Sequence, residues 1–173
     1  MSLIGTPAPP FLAPCVSAEN IIEDFSSENY KGEWLVLFFY PLDFTLVCPT
    51  EITQFRDSLS SFTSKNAVVA GISIDSVYAH KKWIDDDLGQ LGFPLVSDIK
   101  KEISRDYDCY LESAGIATRA TYIIDPMGLI QYASQNNTKV GRDTKEILRV
   151  LDALQTGEMC SAGWKKGDKT IEA

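Results

Sequence analysis

The chain has 173 residues, 45% of them apolar and 10% aromatic, which suits one domain with a substantial core. Its 24 acidic residues outnumber 16 basic ones, and the net charge of -8 argues against a nucleic-acid or anionic-membrane surface. No apolar run nears the roughly 18 residues of a membrane span. Met1 to Pro7 has no basic stretch ahead of a long apolar one, so no secretory signal is expected and a cytoplasmic location is.

Pro7, Pro9, Pro10 and Pro14 oppose a long helix, so the first thirty residues are expected to wrap as an irregular or short-stranded arm. Trp34 to Tyr40 is an unbroken apolar run, the pattern of a strand buried on both faces, and Pro41 stops it. Pro49 suits a first helical position, Glu51 falls in the first turn, and Ile52, Phe55, Leu59 and Phe62 recur at helical spacing, which predicts a helix over 49–62. A second buried strand is expected at 67–74, then a helix marked by Val77, Ile84 and Leu88, a short strand at 93–96 and a short helix at 99–105. Asp125-Pro126-Met127-Gly128 reads as a type I turn between strands 121–124 and 129–132. Asp143 with Glu146 starts the last helix, Ile147, Leu148, Val150, Leu151 and Leu154 line its apolar face, and Gly157 caps it. From Trp164 to Ala173 a polar tail is expected. Alternating strands and helices followed by a hairpin and a helix predict an α/β fold with mixed sheet direction.

The four cysteines, at 15, 48, 109 and 160, contain no Cys-x-x-Cys pair, and His80 is the one histidine, so neither a zinc site nor a paired dithiol is expected. Cys48 stands where a buried strand gives way to an amphipathic helix. The unpaired N–H groups and partial positive charge of a helix start favour thiolate over thiol there. A lone cysteine after a buried strand is more often an inert small hydrophobe, so its flanking residues decide the reading.

Those residues, Phe38-Phe39-Tyr40-Pro41-Leu42-Asp43-Phe44-Thr45-Leu46-Val47-Cys48-Pro49-Thr50-Glu51, resemble the active-site signature of typical 2-Cys peroxiredoxins, the group that includes alkyl hydroperoxide reductase C. Arg119 in Arg-Ala-Thr-Tyr-Ile-Ile-Asp-Pro, Val140-Gly141-Arg142, and Gly157 to Trp164 extend the resemblance over nearly the whole chain. It implies a thioredoxin-like fold for 1–173 as one domain, with 155–173 as a C-terminal segment carrying Cys160. It also implies a thiol peroxidase in which Cys48 is the nucleophile, Thr45 bonds the substrate oxygens, Pro41 shields the thiolate and Arg119 stabilises thiolate and leaving oxygen. Glu51 and Arg142 would orient Arg119, and Tyr40, otherwise a core aromatic, borders the pocket. The sulfenic acid formed on Cys48 would condense with Cys160 of the partner subunit.

The implied partners are a hydroperoxide, thioredoxin or a dedicated flavoprotein disulfide reductase, and a second copy in a homodimer, with five dimers forming a decameric ring. No flavin, haem or metal cofactor is implied. By resemblance, 74–78 would lie at the ring contact and 129–133 at the dimer contact. Cys15 and Cys109 match no motif and are read as structural or incidental, His80 as a helix-face residue. Gly89-Gln90-Leu91-Gly92 departs from the Gly-Gly-Leu-Gly of members easily inactivated by overoxidation, and their C-terminal helix ending in Tyr-Phe has no match up to Ala173. A robust enzyme is therefore expected. The alternative functions are a ring-forming holdase chaperone and a redox relay.

Overall fold

The computed structural model describes residues 3–172, so Met1, Ser2 and Ala173 lie outside it, with the first residues of the expected arm and the last of the expected tail. Its seven-stranded sheet is built from β1 (Leu12–Ser17), β2 (Asn20–Ser26), β3 (Trp34–Phe39), β4 (Ala67–Ser73), β5 (Leu95–Ser97), β8 (Arg119–Ile124) and β9 (Ile130–Asn136), in the order β2-β1-β5-β4-β3-β8-β9. β3, β4 and β5 run parallel, and β8, β9, β1 and β2 antiparallel to their neighbours. This is the mixed, thioredoxin-like sheet expected.

The apolar run of β3 is central because both its faces are covered, as successive side chains on a strand point to opposite sides. Val36 and Phe38 enter one core with Ile52, Phe55, Ile147 and Leu151, while Leu35, Leu37 and Phe39 enter the other with Val96, Ile103, Tyr107 and Tyr122. Phe38 stacks on Phe55 with ring centroids 4.1 Å apart. Glycine at 71 permits this, since a Cβ there would stand 2.6 Å from the Phe38 ring and 2.7 Å from Leu95.

The helices depart from expectation in detail. The predicted helix over 49–62 is two, α1 (Cys48–Asp57) and α2 (Leu59–Thr63), joined at Ser58. α3 (Val77–Trp83) continues into one π-helical turn over Ile84–Leu88. The short helix expected at 99–105 is α4 (Glu102–Asp106), started by the buried Asp98 carboxylate accepting from the N–H groups of Ile103 and Ser104. A small hairpin of β6 (Tyr110–Leu111) and β7 (Ile116–Ala117) carries no strong periodicity and was not foreseen. α5 (Thr144–Thr156) is capped by Asp143 at its start and by Gly157 in the left-handed conformation at its end.

The arm forms the β1–β2 hairpin, and ahead of it residues 5–8 pair with the start of β9 and the turn before it. Gly5 N–H donates to Ile130 O at 2.8 Å, Ile130 N–H to Thr6 O at 3.0 Å and Ala8 N–H to Gly128 O at 2.8 Å. The first part of 129–133, expected at a dimer contact, is thus already bonded within the chain. The polar tail is folded too. Trp164 is buried, its indole N–H donates to Asp168 O at 3.1 Å, Arg149 holds its carbonyl at 2.8 Å, and Met159 bridges to Ile171. No helix among the described residues is long and apolar enough to cross a membrane.

Candidate active site

Proline at 41 ends β3 because it has no N–H for the ladder, and the chain leaves the sheet in the segment 41–47. This segment is tied down from three elements. Tyr40 Oη donates to Asp43 Oδ1 at 2.8 Å, and Asp43 Oδ2 lies 2.7 Å from His80 Nδ1 on α3. His80 Nε2 faces Val96 O on β5 at 3.2 Å. Asp43 N–H donates to Asp75 at 2.9 Å. Burial first, then the neighbouring Asp43 charge, pushes the Tyr40 phenol well above its ordinary range, so it stays a donor. His80 is thus a helix-face residue whose face is turned fully inward, where it links the segment to α3 and β5. Phe44 adopts φ 54° within this anchored segment, a left-handed conformation that is uncommon for a side chain of its size.

Thr45 Oγ1 donates to Leu42 O at 2.9 Å, which leaves its lone pairs able to accept. Cys48 is the first residue of α1 and is buried, with Pro49 in the first turn. Glu51, one turn on, lies on the same face of the helix.

Two arginines converge on this helix start, one from β8, the strand paired with β3, and one from the loop between β9 and the last helix. Arg119, the first residue of β8, places Nη1 3.3 Å from Cys48 Sγ and 2.6 Å from Glu51 Oε2, and its Nε donates to Thr138 O at 2.8 Å. Arg142 donates to Glu51 Oε1 from both its backbone N–H and Nε at 2.8 Å, and to Oε2 from Nη2 at 2.9 Å. Its Nη1 meets Ala120 O at 2.6 Å and its guanidinium lies over the Phe38 ring. The Arg119, Arg142 and Glu51 side chains are at most 4% exposed. Counted as ordinary charged groups, they sum to one excess positive charge beside the Cys48 sulfur.

Cys48, Glu51, Arg119 and Arg142 are therefore together, with Tyr40, Pro41 and Thr45 in the segment leading to them. Cys160 is elsewhere. Its sulfur lies 3.5 Å from Thr156 Oγ1 and 3.8 Å from the carbonyls of Ala153 and Glu158, at the end of α5. Cys15 and Cys109 are buried in the second core, where loss of hydration raises the Cys15 thiol to about 11 and the Cys109 thiol further. Asp43, His80 and the Thr138 carbonyl were missed by sequence reasoning. A buried carboxylate–imidazole contact between residues 37 apart has no local pattern, and a backbone carbonyl has no residue type to read.

Comparison with known proteins gives one picture. The AhpC/TSA family model matches residues 4–133. The putative peroxiredoxin ycf42 of Pyropia yezoensis is 47% identical over 97% of this chain and 88% of that protein. The chloroplastic 2-Cys peroxiredoxin BAS1 of Spinacia oleracea is 44% identical over 99% of this chain and 68% of its own. Among solved structures, reduced Plasmodium vivax 2-Cys peroxiredoxin superposes with a TM-score of 0.95 at 35% identity, covering 99% of this chain and 94% of that one. Mycobacterium tuberculosis AhpC gives 0.83 at 38% identity, covering 94% and 98%.

Proposed function

This chain belongs to the AhpC/TSA family and is a peroxidase of the peroxiredoxin type, and from that premise we propose that it reduces hydrogen peroxide and small organic hydroperoxides through Cys48. The observation that carries this reading is the Arg119 guanidinium 3.3 Å from the Cys48 sulfur and locked from behind by Glu51. The Cys48 thiolate attacks one peroxide oxygen, the O–O bond breaks, and the second oxygen leaves with the electron pair and takes a proton to become water or an alcohol. Sulfur is oxidised to the sulfenic acid and the peroxide is reduced. A planar guanidinium fixed in orientation stabilises the charge developing on the leaving oxygen without having to reorganise. Thr45 accepts from the peroxide O–H, and Pro41 keeps bulk water from the sulfur.

Resolution belongs to Cys160 of a second copy: its thiol attacks the sulfenic sulfur, water leaves and an intersubunit disulfide forms. The Cys160 sulfur contacts the end of its own α5 and not Cys48, which fits attack between subunits, and the β9 edge beyond Ile130 offers backbone groups to a second sheet. Decamers of five such dimers, a cytoplasmic setting and re-reduction by thioredoxin or a flavoprotein disulfide reductase complete the reading.

The test is a non-reducing gel after one equivalent of hydrogen peroxide, with Cys48→Ser and Cys160→Ser alongside. A disulfide dimer in the native protein, absent from both variants, is expected. Peroxide consumption by Cys48→Ser at the native rate would defeat the proposal.

A further inference from the structure

We propose that Asn136 is a positioning residue for Arg119, acting by clamping the turn whose Thr138 carbonyl holds the guanidinium. This rests on the reading of Arg119 given above. Asn136 is the last residue of β9 and the register partner of Arg119, the first residue of β8. Its side-chain nitrogen donates to two consecutive carbonyls, Val140 O and Gly141 O, each at 3.3 Å. Within the turn so closed, Val140 N–H donates to Asn137 O at 2.9 Å and Lys139 N–H to Asn137 Oδ1 at 3.0 Å. Between those residues sits Thr138, whose carbonyl accepts from Arg119 Nε at 2.8 Å. The residue after the clamp is Arg142, whose N–H donates to Glu51 Oε1.

A guanidinium is planar and turns as one body, so two acceptors on different nitrogens fix its plane where one leaves it free to pivot. Arg119 has Glu51 on Nη1 and Thr138 O on Nε. With both in place, Nη1 also points at the sulfur; with Thr138 O displaced, the fork swings about Glu51. Glu51 is held by the buried core, but Asn137, Lys139, Val140 and Gly141 are exposed, so burial does little to hold this turn in place. The Asn136 amide, donating to the two carbonyls at its far end, does. Only a donor serves here, because both partners are carbonyl oxygens.

The experiment follows the rate of Cys48 oxidation by hydrogen peroxide against pH, by stopped flow on the full chain, for Asn136→Asp, Asn136→Ala, Asn136→Gln, Arg119→Ala and Asn136→Asp with Arg119→Ala. Asn136→Asp keeps the shape and replaces the donor by an oxygen facing two oxygens. Hydrogen bonds of this kind set an expected loss of about three- to tenfold in rate for Asp and Ala. The pH midpoint of the reaction should also move upward, and Gln should recover part of both. Asn136→Asp should add nothing once Arg119 is alanine, since residues acting through one another are not additive. Native rates and pH midpoints in Asn136→Asp and Asn136→Ala, with Arg119→Ala slow, would overturn this inference alone. An equal loss of rate in both Arg119 backgrounds, with no change of midpoint, would assign Asn136 a structural role and overturn it too. A native rate in Arg119→Ala would overturn the underlying reading of Arg119.

Discussion

Arg142 donates three hydrogen bonds to the two oxygens of Glu51, at 2.8, 2.8 and 2.9 Å, one of them from its own backbone. The carboxylate therefore cannot rotate, and its Oε2 meets Arg119 Nη1 at 2.6 Å as a fixed point. The orientation of the group facing Cys48 descends from this pair.

Replacing Glu51 by glutamine keeps the shape but leaves two buried guanidinium groups without their shared anion. Breaking a buried pair in this way costs roughly 3–5 kcal/mol. A fall of the urea unfolding midpoint and a loss of at least about tenfold in the peroxide reaction are expected; that factor corresponds to roughly 1.4 kcal/mol. A variant within twofold of native in both respects would contradict the role given to Glu51.

Arg119→Lys retains the charge and discards the fork. Lysine has no second nitrogen to hold Thr138 O while the first faces Glu51 and the sulfur, so the rate should fall almost as far as in Arg119→Ala. Near-native kinetics for lysine would mean that charge alone suffices.

Burial raises the Cys15 thiol from 9.0 to about 11. The folded state thus favours the neutral thiol, and stability from this group is present below pH 9 and lost as pH rises toward 11, where the unfolded chain ionises first. The unfolding midpoint should fall between pH 9 and 11, less steeply in Cys15→Ala. In native protein at pH 8, alkylation followed by mass spectrometry should label Cys160 and spare Cys15 and Cys109; prompt labelling of either buried thiol would refute this placement.

Trp164 is the anchor of the C-terminal segment, buried and bonded to Asp168 O and, through its carbonyl, to Arg149. Trp164→Ala should release 157–172 while leaving the sheet intact. Trypsin cleavage after Lys165 or Lys166 and the alkylation of Cys160 should both accelerate, by tenfold or more if local opening costs drop by about 1.4 kcal/mol. Unchanged proteolysis would show that the segment is held by other contacts.

Much of this protein is written in local pattern. The seven-residue apolar run of 34–40 could only be a doubly covered strand, the spacing of Ile52, Phe55 and Phe62 could only face a core, and the strand end before Cys48 placed the thiol at a helix start. Residue type and periodicity carry such information because a strand or helix face is made of near neighbours. The break at Ser58 and the π-turn at 84–88 were invisible because apolar spacing survives both.

The tertiary structure decided the rest. Arg119 reaches Cys48 from 71 residues away and Arg142 reaches Glu51 from 91, distances over which no periodicity runs, so only the resemblance to a family had pointed to them. His80 could be read only as a helix-face residue until β5 and Asp43 closed around it. The polar tail became a folded segment because one buried tryptophan outweighs a run of charged neighbours. Sequence by itself determined which group could react and on what kind of scaffold. Folding decided what faces that group, because opposing partners come from separate elements and, in the case of Thr138, from a backbone carbonyl that every residue possesses.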